Sequence, residues 1–166
     1  VTTVGDPFGG ANTTLHFNGS TDYLDFGSSA EYKPGTGAFT VEFWWNPGTL
    51  GTFRTVWTKG GTGYSTDFGG FQLIETASPS SRGKMTFVHK IPTTGPGTLG
   101  GANEIHTAIH EDTGVAVGKW SHHVVQRGAS HMYFVDGVMA SSNNSSLAMG
   151  DDLTAGDYPL RLGVSH

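Results

Sequence analysis

The sequence predicts an all-β fold, on three observations. Glycine accounts for 26 of the 166 residues and threonine is frequent, whereas charged residues make up only 14%. Long runs with a helical period are scarce, and several segments alternate between apolar and polar residues. This composition is typical of short strands joined by tight turns. The length suits one domain, which we expect to span residues 1–166.

Composition and charge exclude several classes of function. There is no cysteine, so neither disulfides nor thiolate metal sites are available. The net charge of −5 is spread along the chain without a basic run, which argues against nucleic acid as a partner. No apolar run reaches the roughly 18 residues of a membrane span, so we expect no membrane insertion. Because the chain begins at Val1, we expect it to be part of a longer protein.

The first half of the chain contains the clearest strand signals. In LHFNGSTDYLDF (15–26), Asn18-Gly19 predicts a hairpin, because type I′ turns prefer this dipeptide. AFTVEFWWNP (38–47) alternates, which places Glu42 and Trp44 on the face opposite Phe39, Val41, Phe43 and Trp45. The segments at 52–59, 70–76 and 84–90 are further strand candidates.

In the second half, residues 91–104 are rich in glycine and proline and predict a long loop. Strand patterns follow at 105–110 and at GVAVG (114–118). KWSHHVVQRGASHMYFVDGVMAS (119–141) predicts a meander, since Asp136-Gly137 is a second type I′ signal. His122 and His123 fall on opposite faces of their strand and cannot both ligate one metal, which favours a structural role for this histidine-rich segment.

Four segments, taken in order, resemble the laminin-G-like, or concanavalin A-like, jelly-roll domains. They are LHFNGSTDYLDF, AFTVEFWWNP, KWSHHVVQR followed by MYFVDGV, and LRLGVSH. The resemblance implies two antiparallel sheets packed face to face with about a dozen strands, and core positions for Trp120 and His122. The sequences of these segments are most similar to those of modules in phage virion proteins and bacterial surface proteins.

One departure from the family concerns the end of the chain. Family domains continue beyond the LRLG segment into a closing strand, whereas this sequence stops at His166. We expect either a truncated domain or an edge that another segment completes. An open edge of this kind favours pairing with neighbouring subunits.

The sequence identifies no catalytic residue. Glucanases of this fold carry an E-x-D-x-x-E motif, and none of the glutamates here stands in that pattern. Glu42 is alone on its strand, so a second carboxylate for glycoside hydrolysis would have to come from a distant loop. No G-x-S-x-G motif is present either.

Two segments are candidate metal sites. In EIHTAIHED, His106 and His110 lie four residues apart, a spacing that places both imidazoles on one face. In GDDLTAGD, Asp151, Asp152 and Asp157 offer the carboxylates that calcium prefers, and the family resemblance supports calcium at a sheet rim. In both segments solvated polar side chains are the alternative.

Aromatic residues next to a carboxylate are the candidate ligand site. Trp44 shares a face with Glu42, while Trp57 precedes the glycine-rich segment TKGGTGYSTD and Tyr64 lies within it. Aromatic rings bind the apolar faces of sugars, and carboxylates orient the hydroxyl groups. The alternative is that loops cover this face, which would make Trp44 a second core residue.

These observations predict a non-catalytic binding module of a virion-surface or extracellular protein, with a glycan or polysaccharide as ligand. The first alternative is a structural decoration or fibre domain that contacts neighbouring subunits. The second is a polysaccharide-degrading enzyme that uses Glu42.

Overall fold

The computed structural model describes residues 2–4, 7–9, 14–35, 37–51, 54–59, 70–75, 85–90, 105–110, 115–128, 131–143 and 158–163. Within these residues the chain forms twelve strands and one short 3₁₀ turn at Ala30–Tyr32. The strands are β1 Thr2–Val4, β2 Thr14–His16, β3 Leu24–Asp25, β4 Phe39–Trp45, β5 Arg54–Lys59, β6 Gly70–Glu75, β7 Met85–Lys90, β8 Ile105–His110, β9 Ser121–Arg127, β10 His131–Val135, β11 Val138–Asn143 and β12 Leu160–Leu162.

The strands form two large antiparallel sheets and one small ribbon. The four-stranded sheet has the order β11-β10-β9-β4, and the six-stranded sheet has the order β3-β12-β5-β6-β7-β8. Among the described strands, β1 and β2 form a separate two-stranded ribbon. The all-β, two-sheet antiparallel sandwich predicted from composition and resemblance is therefore confirmed.

The core lies between the two large sheets. The six-stranded sheet contributes Trp57 and Leu73, and the four-stranded sheet contributes Val125, Tyr133 and Val135. Partly buried apolar side chains pack around this cluster: Phe39, Val41, Phe43, Trp45, Val56, Ala140 and Leu162. Burying each large apolar side chain contributes about 1.5–3 kcal/mol, so this layer is the main source of stability.

The alternation predicted for β4 is confirmed, but the inward face of β9 differs from the expectation. Ser121, His123, Val125 and Arg127 are buried, whereas His122 and Trp120 are only partly buried. The implied core positions of His122 and Trp120 therefore need correction. The sequence shows the alternation of β9 but not which side faces the second sheet, because both sides carry one histidine and one valine.

The hairpin predicted at Asn18-Gly19 is wrong. Strand β2 pairs with β1, and β3 pairs with β12, so the strands on either side of this dipeptide belong to different sheets. The Asn18 side-chain oxygen instead accepts hydrogen bonds from the backbone N–H groups of Ser20, Thr21 and Asp22, at 2.9, 2.9 and 3.1 Å. This side-chain cap turns the chain out of one sheet and towards the other.

The meander over β9, β10 and β11 is confirmed, including its second turn. Asp136 and Gly137 have φ values of 50° and 78°, and type I′ turns need positive φ at both positions. The Asp136 carboxylate also accepts a hydrogen bond from the backbone N–H of His122, at 2.8 Å. The strand expected at GVAVG is wrong, since Val117 and Gly118 form a turn.

Three hydrogen-bonded polar side chains lie on the inward face of the four-stranded sheet, on β9 and β10. His123 is fully buried and is joined to Ser121 Oγ through Nε2, at 2.7 Å, and to the Tyr133 hydroxyl through Nδ1, at 2.6 Å. Its ring stacks on Phe43 with centroids 5.1 Å apart. Burial lowers the pKa of His123 from 6.5 to about 4, so the imidazole is neutral in the folded protein at neutral pH.

Substituting His123 by Gln should reduce the acid sensitivity of the fold. Because the folded pKa of about 4 lies below the unfolded value of 6.5, the unfolded state binds more protons between these values. Stability is therefore complete above pH 6.5 and falls as the pH drops towards 4. At about 1.4 kcal/mol per pKa unit, the loss approaches about 3 kcal/mol.

Urea unfolding of wild type and H123Q at pH 7.5, 6.0 and 4.5 measures this effect. H123Q should be less stable than wild type at pH 7.5, and this difference in unfolding free energy should shrink as the pH falls. H122Q is the matched control, since it removes the neighbouring, partly exposed histidine. It should lose as much stability between pH 7.5 and 4.5 as wild type does. An unchanged pH dependence in H123Q would contradict the assignment.

Gly163, in the LRLG segment after β12, lies close to the ring of Phe17. Its φ is 73°, and a Cβ atom built there would lie 2.4 Å from Phe17 Cδ1. Gly27 has the same φ of 73°, but a Cβ atom there would meet nothing within 4 Å. Comparing the same substitution at the two glycines therefore separates the cost of backbone strain from the cost of steric overlap.

Replacing each glycine by Ala should give unequal losses of stability. G27A should cost only the strain of left-handed backbone, about 1–2 kcal/mol. G163A should cost a further 1–3 kcal/mol or so, because Phe17 must move. The free energy of unfolding in urea measures both, and equal losses would show that Phe17 yields without cost.

Candidate functional site

On the four-stranded sheet, every second side chain points away from the core and forms the outward face. The pairing of β4 with β9 places Thr40 opposite Gln126, Glu42 opposite Val124, and Trp44 opposite His122. Strands β10 and β11 extend the first two of these rows. Met132 lies opposite Gln126, and Phe134 lies opposite both Val124 and Met139.

Three rings form a row at one end of this face, which we call the aromatic strip (Phe8, Trp44, His122). The Trp44 centroid is 5.2 Å from that of Phe8, with the planes at 76°, and 5.1 Å from that of His122, with the planes at 31°. Phe8 is 76% exposed and Trp44 is 41% exposed. Because β4 is an edge strand of its sheet, Phe8 reaches Trp44 without displacing another strand.

A carboxylate accompanies the aromatic strip. Glu42 Oε2 lies 3.7 Å from His122 Nε2, and the Glu42 side chain is 71% exposed. Asp136, in the turn between β10 and β11, holds the backbone of His122 through the hydrogen bond to its N–H. The strip therefore combines apolar ring surface with a hydrogen-bonding carboxylate and imidazole at its side.

A shallow groove lies at the other end of the same face. Its floor includes Thr40, Gln126 and Met132, which form one row across three strands, and the chain at Ala38 and Gly128 forms its end. Its volume is about 330 Å³. Buried Arg127 supports this end from below, since its guanidinium donates hydrogen bonds to the carbonyls of Gly35 and Gly37.

The structure brings Glu42 and Trp44 together on this face, as the alternation predicts. Trp57 needs correction as a ligand-binding residue, because it is 1% exposed and belongs to the core. A bulge in β5 between Thr55 and Trp57 shifts the register against β6, which turns Trp57 towards Leu73. Tyr64 and the loop predicted at 91–104 lie outside the described residues.

The candidate metal ligands fall in two segments of the chain. His106 and His110 both lie in strand β8, where four residues extend about 13 Å along the strand. A helix would have placed them on adjacent turns. Asp151, Asp152 and Asp157 lie outside the described residues. Within the described part of the chain, no group of three or more histidine and acidic side chains could hold a metal ion.

Sequence reasoning missed Phe8 and His122 as members of the surface. The position of Phe8 depends on the β1–β2 ribbon, which carries no strong pattern of its own. His122 could have been found by its position opposite Trp44, once β4 and β9 were known to be neighbours. A membrane helix is also not found: no helix among the described residues is long and apolar enough to span a bilayer.

The structure is similar to several solved structures of binding domains. It matches the binding domain of Paraclostridial Mosquitocidal Protein 1 with a TM-score of 0.63 and 13% identity, over 90% of this chain and 35% of that one. It matches the binding domain of botulinum neurotoxin serotype D with a TM-score of 0.61 and 11% identity, over 90% and 34%. At these identities the likeness shows a shared fold.

The chain spans about a third of the length of these solved chains. No curated protein sequence matches it significantly. A family model does match: the laminin G model of the concanavalin A-like lectin/glucanases superfamily covers residues 18–166. With both sheets and the LRLG segment inside that range, the chain belongs to the concanavalin A-like lectin/glucanases superfamily.

Proposed function

We propose that this domain is a non-catalytic carbohydrate-binding module and that it contacts its ligand through the aromatic strip and Glu42. The observation that carries the proposal is the exposure of Trp44 on the outward sheet face, with Phe8 and His122 on either side. Several aromatic side chains of the described residues are exposed, but Phe8, Trp44 and His122 form a row of rings in mutual contact on a sheet face, and a contiguous exposed apolar surface often marks a binding site.

The chemistry of the strip suits a sugar. The C–H face of a pyranose stacks on an aromatic ring, and hydroxyl groups need nearby acceptors and donors. Glu42 supplies acceptors, and His122 supplies a ring nitrogen 3.7 Å from that carboxylate. The toxin binding domains that share the fold support a binding role by analogy, although fold similarity does not identify a ligand.

The surroundings of Glu42 favour binding over hydrolysis. A glycosidase acid is usually sheltered from water, because the shelter raises its pKa into the working range. The Glu42 side chain is 71% exposed, and the sequence lacks the E-x-D-x-x-E motif. We expect no release of reducing sugar from any polysaccharide that the domain binds.

The proposal also includes the setting of the domain. We infer that it works outside the cell or on a virion surface, which the likeness of its four family segments to phage and bacterial surface modules supports. The proposal further includes calcium at Asp151, Asp152 and Asp157, whose carboxylates are the ligands that calcium prefers, so binding is best measured in calcium and again in EDTA. Loss in EDTA supports this part of the proposal, and unchanged binding removes it.

Replacing Trp44 by Ala should weaken glycan binding about tenfold or more, because stacking and ring burial together exceed roughly 1.4 kcal/mol. The measurement is binding of the purified domain to a glycan and polysaccharide panel, followed by titration calorimetry on the ligands found. The matched control is F26A, which removes an aromatic side chain of similar exposure, 46% against 41%, beside the six-stranded sheet.

F26A should bind as wild type does, and thermal unfolding should confirm that both variants are folded. Equal affinity of W44A and wild type would contradict the proposed surface. Absence of binding to the whole panel by the folded domain would contradict the carbohydrate proposal.

A specific observation favours the structural alternative as second candidate. The row Val124, Phe134 and Met139 is apolar, and Val138 and Met139 are largely exposed at the hairpin tip. An apolar row of this kind also suits a contact between subunits. Sedimentation velocity separates the two functions, since the structural module should self-associate through this row, whereas the binding module should stay monomeric.

A further inference from the structure

The aromatic strip and the groove lie on the same two strands. Thr40 and Trp44 are both on the outward face of β4, and their partners Gln126 and His122 are both on the outward face of β9. Four residues of strand extend about 13 Å, so the two ends of the surface are separated by that distance along the strand direction. A single sugar in contact with one end therefore does not reach the other.

One row of side chains lies between the two ends. It contains Glu42, which points to solvent, Val124, which is half-buried, and Phe134, which lies beside Val124 on β10. The path between the two ends therefore runs along the outward faces of β4 and β9, past a carboxylate and apolar side chains.

The chemistry along this path alternates in a way that suits a polyhydroxylated chain. Hydroxyl and amide groups of Thr40 and Gln126 can donate and accept at the groove, and Met132 supplies an apolar floor. Glu42 accepts in the middle, and the rings of Trp44 and His122 offer stacking surface at the far end. Each end thus pairs an apolar surface with a hydrogen-bonding group.

Charge narrows the ligand class. Among the described outward residues of β4, β9 and β10, Glu42 is acidic and none is a lysine or arginine. The chain as a whole carries a net charge of −5. Arg127 lines the groove, but it is 1% exposed and its guanidinium donates to the carbonyls of Gly35 and Gly37. A polyanionic glycan would therefore be repelled by Glu42 and would find no exposed guanidinium to pair with, whereas an uncharged glycan would not be repelled.

We infer that this surface binds an extended stretch of a neutral linear glycan, aligned with β4 and β9, with one end of the bound segment on the aromatic strip and the other in the groove. This inference rests on the proposed function and goes beyond it by stating the length and charge of the ligand. A single terminal sugar would occupy only the strip.

The test uses neutral linear oligosaccharides of two to eight units as probes, taken from β-1,4-glucan, β-1,3-glucan, α-1,4-glucan and chitin. Affinity for each bound series should rise with length until the ligand reaches both ends of the surface. The gain should be about tenfold or more, since each added hydrogen bond contributes about fivefold. A carboxylated series of equal length should bind more weakly.

Variants separate the two ends. The double variant T40A/Q126A should lose most of the gain with length and should bind the shortest ligands as wild type does. W44A should weaken binding at every length. S28A, an exposed serine outside this surface, is the control and should change nothing.

The outcomes distinguish this inference from the proposed function. If W44A removes binding but affinity does not depend on length, the ligand occupies the strip alone and the inference is overturned. The inference is also overturned if T40A/Q126A keeps the full gain in affinity with length, because the longer glycan then does not contact the groove. If no neutral series binds the folded domain although another glycan of the panel does, the inference fails and the proposed function stands. If no glycan of the panel binds, or if W44A binds its ligand as wild type does, both fail.

Discussion

The antiparallel pairing of β4 with β9 is the constraint on which the core and the candidate surface both depend. It joins seven residue pairs, from Phe39 with Arg127 to Trp45 with Ser121. Successive side chains of a strand point to opposite faces, so this one register sends Phe43 and His123 inwards while it sends Trp44 and His122 outwards. A slip of one residue would exchange the two sets and expose the core face.

The two adjacent histidines show how strongly position within the sheet controls chemistry. His123 is enclosed by Phe43, Trp45 and Tyr133, and its neutral ring satisfies the hydroxyl groups of Ser121 and Tyr133. Without that ring each of the two hydroxyl groups would lose a hydrogen bond, which costs stability in a buried setting. His122, one residue earlier, instead contacts Trp44 and lies near a solvated carboxylate. The same residue type thus serves the core once and the surface once.

The surface is built from regular strands, which matters for recognition. Residues on paired strands are held by backbone hydrogen bonds and by packing beneath them, so the rings and amides at its two ends keep their spacing without a ligand. The turn at Asp136 fixes the backbone of His122 from the side, and Arg127 fixes the rim of the groove from below. Pre-arranged contacts of this kind reduce the entropy that binding must overcome.

Sequence alone determined what depends on local pattern: the all-β class, the alternation in β4, the Asp136–Gly137 turn, and Glu42 and Trp44 on one face. It failed where the partner strand decides. Asn18-Gly19 predicts a hairpin locally, but tertiary pairing sends its two flanking strands to different sheets. The bulge in β5 places Trp57 opposite Leu73, and the second sheet selects His123 over His122 for the core. Phe8 joins Trp44 only through the folded chain. Apolar–polar alternation and turn type depend on residues that are neighbours in the sequence, whereas burial depends on which distant strands pack together.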